Sequence, residues 1–93
     1  LFSSYQNIND VLLDACSLGT IEGVQYALSK NANINTKNEN GDTPLIIATR
    51  NSDNNIAQFL LLNGADENIQ NIYREDALSL ALKQNNKQIA NII

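Results

Sequence analysis

A spacing of 33 residues runs through this chain, and no other feature limits its possible folds as much. Thr43-Pro44-Leu45 is the place to start. Thr is a good helix N-cap, because its hydroxyl accepts a hydrogen bond from a free amide of the first turn. Pro suits the first helical position, where its missing N–H leaves nothing unsatisfied. One period either side of Thr43 stand Asp10 and Asp76, both capping residues. Leu12, Leu45 and Leu78 form a second series. Ala15, Ala48 and Ala81 form a third, where close helix packing would require a small side chain. Val24, Ala57 and Ala90 follow, then Tyr26, Phe59 and Ile92. Leu28 matches Leu61, Ala32 matches Ala65, and Asn35 matches Asn68.

Repeated units of this length predict a stack in which each unit buries its apolar face against a neighbour. Such a stack suits a chain of 93 residues, which allows one domain. A globular chain this short buries only about 60% of its unfolded surface. Hydrophobic residues make up 43% of it, too many for a disordered segment. Only 3 Tyr and 2 Phe are aromatic, so small aliphatic side chains must build the core.

Within the middle unit the pattern predicts two short helices. The first runs from about Pro44 to Asn51, and Asn51-Ser52-Asp53 breaks it. The second runs from about Asn54 to Leu62, with Ile56, Phe59 and Leu60 on one face. Gly64 follows where a left-handed C-terminal cap is wanted. Asn40-Gly41, in the connecting stretch, suits a tight hairpin turn with positive φ. The unit is therefore turn, helix, break, helix, loop.

These residues resemble the ankyrin-repeat family, whose unit is also 33 residues long. Gly41-Asp42-Thr43-Pro44-Leu45, the following Ala48, and Leu60 through Gly64-Ala65-Asp66 carry the resemblance in the middle unit. Leu12-Leu13-Asp14-Ala15-Cys16 with Gly19 is similar to the family's N-terminal capping unit, and Ala32-Asn33-Ile34-Asn35 to the segment that closes a unit. Asp76-Ala77-Leu78-Ser79-Leu80-Ala81 looks like a C-terminal cap, with Lys87, Gln88 and Asn91 giving its last helix a polar face. The resemblance implies an all-α solenoid of stacked helix-turn-helix units joined by hairpin-like loops. Its boundaries would be about 5–37, 38–70 and 71–93, an array of three units complete at both ends. Four departures bear on geometry and stability. Ile46 replaces the family's usual His, Ser52 its interhelical Gly, and Arg74 the turn Gly, so the second hairpin is expected to differ. Ile92-Ile93 ends the chain mid-helix, without a cap for the last turn.

Charge and composition argue against several functions. The formal net charge is −4, and the 6 Lys and Arg residues are scattered. A nucleic-acid surface needs them clustered, so neither nucleic acid nor an anionic membrane is expected as a partner. Apolar runs such as Phe59 to Leu62 are far short of the ~20 residues that span a bilayer. No signal segment opens the chain, which begins at Leu1. Cys16 alone cannot form an internal disulfide, which leans toward a reducing, cytoplasmic setting. It occupies a small-residue position beside Ala15 and reads as a buried spacer. With 0 His there is no imidazole base or ligand, and the carboxylates are dispersed, so no catalytic residue, metal or cofactor is expected.

Function then falls to surface recognition, and the resemblance implies a monomeric module that binds a protein partner. Its binding surfaces would be the hairpin tips and the concave face of the first helices. Carried over by position, these offer Glu39, Asn40 and Asp42, then Arg50 and Asn51, in the middle unit. The third unit offers Ile72, Tyr73 and Glu75, then Lys83 and Gln84. Ser17 and Leu18 belong to the first, with Lys37 and Gln70 on the connecting strands. Ile72 and Tyr73 are apolar in an expected exposed turn. They are either partner contacts or local packing that compensates for Arg74. Acidic Glu39, Asp42 and Glu75 point to a partner with some positive charge. Rival readings are a self-assembling module joined through Ile89, Ile92 and Ile93, a repeat domain binding a small ligand or short nucleic acid, and an enzyme.

Overall fold

In the computed structural model the described residues are 7–93. The first six positions, including the start expected for the first unit and for any signal segment, lie outside them. Six helices follow in order: α1 (Ile8–Leu18), α2 (Ile21–Ser29), α3 (Pro44–Arg50), α4 (Asn54–Leu62), α5 (Ala77–Lys83) and α6 (Lys87–Ile92). There is no strand among the described residues. Helices pair as α1 with α2, α3 with α4, and α5 with α6. First helices stack on first helices and second on second, giving two layers in a body of 37 × 25 × 20 Å. This is the all-α repeat architecture that the resemblance implies.

Capping chemistry sets most helix starts. The Thr43 hydroxyl accepts from the Ile46 amide at 3.2 Å, and Pro44 takes the first helical position. Asp76 accepts from the Ser79 amide at 2.8 Å while the Ser79 hydroxyl accepts from the Asp76 amide at 3.0 Å, a closed capping box. Asp10 is a correction. The cap of α1 is Asn7, whose side chain accepts from the Asn9 amide at 2.8 Å. Asp10 lies inside the first turn. Pro44 forces a start because it has no N–H and restricts the residue before it, whereas Val11 has an amide through which a helix can run.

Among the described residues seven have positive φ, and they fall on three series of the same period. Gly19, Ser52 and Asn85 end the first helices; Asn31 and Gly64 follow the second; Gly41 and Arg74 close the hairpins. The second hairpin was expected to differ because Arg74 replaces glycine. Instead it keeps the form of the first. Asn38 N donates to Asp42 O at 3.0 Å and Gly41 N to Asn38 O at 3.0 Å. One period on, Asn71 N donates to Glu75 O and Arg74 N to Asn71 O, both at 3.0 Å. Arg74 is held at φ 61 by these bonds.

Ala15, Ala48 and Ala81 are fully buried between helices, as the small series requires. Leu12, Leu45, Ile56, Leu60 and Ile89 fill the core around them, each contributing roughly 1.5–3 kcal/mol by burial. Cys16 is buried in this core, where burial, with Asp53 nearby, pushes its thiol up to about 12. It stays protonated at neutral pH. The leucine series breaks at its last member: Leu78 is 39% exposed.

Candidate recognition surface

Two asparagines shape the hairpin tips. The Asn38 side-chain oxygen accepts from the amides of Asn40 (2.9 Å) and Asp42 (3.0 Å). Asn71 does the same for Tyr73 (2.9 Å) and Glu75 (3.0 Å). Each side chain thus holds its turn closed from inside. The two tips are also joined, since Ile72 N donates to Asn40 O at 2.9 Å. The paired loops form a braced edge rather than independent loops.

Beneath this edge lies a polar network between the second and third units. Asp42 is buried, with only 2% of its surface exposed. Arg50 grips it with Nη1 to Oδ2 at 2.7 Å and Nη2 to Oδ1 at 3.2 Å. The Asn71 amide donates to Asp42 Oδ1 at 2.8 Å and to Glu75 Oε1 at 3.0 Å. Arg50 Nη2 also reaches Glu75 Oε1 at 3.4 Å, and Lys83 Nζ reaches Glu75 Oε2 at 3.5 Å. Burial alone would raise the Asp42 carboxyl, but hydrogen bonds from Arg50 and Asn71 outweigh it and hold the group below the usual carboxylate range. The same contact raises the Arg50 guanidinium. Glu75 is lowered mainly by the Asn71 hydrogen bond. Gln84 extends the network, its Nε2 donating to Arg50 O at 2.8 Å.

The candidate residues therefore separate into two groups. Asp42 is removed from the set offered to a partner, because its carboxylate is enclosed and bonded within the protein. Arg50, Glu75, Lys83 and Gln84 gather around it and join the units. Glu39 and Asn40 are exposed at the first tip. Ile72 and Tyr73 project from the second, 63% and 65% exposed. Asn51 is exposed at the end of α3, where its amide reaches Ser17 O at 3.5 Å. Of the apolar residues proposed for self-assembly, Ile89 is buried and Ile93 half-buried, which leaves Ile92.

A groove of about 650 Å³ separates α1 from the first hairpin. Its floor is apolar, from Leu13 and Ile47. Asp10, Asp14 and Ser17 line the α1 side, and Lys37, Asn38 and Glu39 the hairpin side. Three carboxylates stand there against one lysine. Asp10 and Asp14 were absent from the sequence-based set. Their spacing of four places them on one face of α1, which is the signal that could have found them. Asn71 was also missed, although it stands one period after Asn38. Among the described residues no group of three or more His, Cys, Asp or Glu could hold a metal ion. No helix among them is long and apolar enough to cross a membrane.

Residues 12–93 match a family model described as ankyrin repeats in three copies. The chain is 43% identical over 60 residues to a Homo sapiens NAD-capped RNA hydrolase, a match covering 64% of this chain and 13% of that protein. It is 36% identical over 66 residues to a Homo sapiens mitochondrial disaggregase, covering 71% of this chain and 9% of that protein. A Rickettsia bellii protein described as an ankyrin repeat protein is 32% identical over 94 residues, covering 95% of this chain and 56% of that protein. The chain thus spans a small part of the two enzymes it matches and about half of the third relative.

Proposed function

Because this chain belongs to the ankyrin-repeat family, we infer that it is a non-catalytic recognition module that binds a protein partner along its hairpin edge and the adjoining groove. Ankyrin repeats are generally protein–protein interaction modules, and the finer reading rests on one observation. Ile72 and Tyr73 stand well exposed on a turn whose backbone is fixed by Asn71 and by the bond to Asn40. An apolar side chain gains nothing from folding when it stays in water. A rigid turn presenting Tyr loses little entropy on binding, which is why such residues serve as interface anchors.

The groove supplies the complement to that anchor. Its apolar floor offers burial, and Asp10, Asp14 and Glu39 on its rim favour a partner segment carrying Lys or Arg. The module would act as a monomer in the cytoplasm, without cofactor or metal. Neither relative's enzymatic activity is carried over, since the matches cover 13% and 9% of those proteins.

The test is affinity capture from lysate of the source cell, with wild type beside Tyr73→Ala. Loss of the captured protein with an unchanged melting temperature is expected. A matching fall in stability would assign Tyr73 to local packing instead. Association insensitive to ionic strength would remove the charged rim from the account.

A further inference from the structure

We propose that Arg74 is a recognition residue whose guanidinium, beside Ile72 and Tyr73, takes up a carboxylate on the protein partner. The assignment depends on the hairpin edge being the recognition surface, and it gives that edge a further residue and a charge. It comes from the backbone conformation that Arg74 is held in.

Among the described residues with positive φ, three are glycine and two are asparagine, Asn31 and Asn85. Those types visit the left-handed region routinely, glycine for lack of a Cβ and asparagine because its short side chain bonds locally. Ser52 is also short, and its hydroxyl meets Gln84 Oε1 at 3.4 Å. Arg74, at φ 61, has neither property. Its side chain is exposed, and among the described residues no hydrogen bond or ion pair engages its guanidinium. The folded protein therefore gains no side-chain contact that offsets the strain. Glycine would close the same turn with less, as Gly41 does one period earlier. Strain that the fold itself does not use marks a group kept for another purpose.

Its neighbours indicate that purpose. Ile72 and Tyr73 precede Arg74 in the same turn, both well exposed. The turn is fixed, since Asn71 Oδ1 accepts from Tyr73 N at 2.9 Å and Asn71 O from Arg74 N at 3.0 Å. An apolar pair beside a cation excludes water once a partner closes over it, and an ion pair there is far stronger than one left in water. Glu75, the next residue, is engaged elsewhere. Its carboxylate meets Asn71 Nδ2 at 3.0 Å, Arg50 Nη2 at 3.4 Å and Lys83 Nζ at 3.5 Å. A guanidinium offers its donors as a planar fork, which matches a carboxylate with two parallel bonds. A phosphate carries more charge than one arginine offsets. Toward α1, Asp10, Asp14 and Glu39 favour Lys or Arg instead. The partner's charges are thus ordered, basic over the groove and acidic at the second tip.

The test selects peptides from a phage-displayed random library on the immobilised protein, comparing wild type with Arg74→Gly, Arg74→Lys and Arg74→Glu. Wild-type selections are expected to carry Asp or Glu beside an aliphatic or aromatic residue. The commonest of them, synthesised, should bind Arg74→Gly at least about tenfold more weakly, although that variant's urea midpoint is no lower than wild type. Arg74→Lys should recover part of the loss, because it keeps the charge without the fork. Arg74→Glu should turn the preference to Lys and Arg. A purely structural arginine would not move affinity and stability in opposite directions. A wild-type preference without carboxylates, or one that Arg74→Gly keeps, would overturn the proposal and leave the recognition edge standing. A wild-type protein that selects no peptide would overturn it together with the reading it rests on.

Discussion

Asp42 lies under the hairpins with its carboxylate against Arg50 and Asn71, and this makes it a support for the tip rather than a contact for a partner. Asp42→Ala would take one acceptor from the Asn71 amide and leave the Arg50 guanidinium with Glu75 alone. A loss of about 1–3 kcal/mol in urea unfolding is expected. The dependence on pH follows from the sign of the shift. The folded carboxyl is held below its unfolded value, so its contribution is complete above the unfolded value near pH ~4. It is lost as pH falls through the lower folded value. Midpoints of wild type and Asp42→Asn should therefore differ by a constant amount from neutral pH down to about 5, then converge below about 4. A gap that stays constant in acid would place the stabilisation elsewhere. Tyr73, by contrast, is 65% exposed, and Tyr73→Ala should leave the melting temperature within about 1 °C.

Turns and helix starts show what this sequence discloses about its elements. Thr43-Pro44 and Asp76 could be read directly, because their caps need only residues within one turn. The start of α1 could not, since nothing near Val11 obliges a helix to begin there. Arg74 was the harder case. Left-handed backbone costs an ordinary L-residue about 1–2 kcal/mol, which argued for a different turn, but the bonds to Asn71 and Glu75 impose it. Arg74→Gly should accordingly stabilise the protein by up to about 1 kcal/mol, less the entropy that glycine adds to the unfolded chain. Gly41→Ala should act in the opposite direction. It combines φ 76 with a Cβ placed 3.2 Å from Asn71 Cα and 3.3 Å from Ile72 N. Urea denaturation of both variants checks this, and a stabilising Gly41→Ala would contradict the packing described for the joined tips.

Across the whole molecule, the architecture was legible because the alanine series is buried in every unit and the caps at Thr43 and Asp76 keep the period, although the capping series fails at Asp10 and the leucine series at Leu78. The recognition surface was only partly so. Exposure of Ile72 and Tyr73 follows from their place in a turn, a local property. The burial of Asp42 depends on Asn71, 29 positions away, and on Arg50 reaching back across the first helix. The groove depends on α1 facing the next unit's hairpin, so Asp10 and Asp14 come into play only once the units are stacked. Recognition of a protein by this braced edge and groove is open to direct test. The most direct measurement is the affinity of a captured partner for wild type and for the double variant Tyr73→Ala with Glu39→Lys, taken with the melting temperature of each. Binding weakened at least about tenfold with melting unchanged is the predicted result. Equal binding by two equally folded proteins would contradict it and move recognition off this surface.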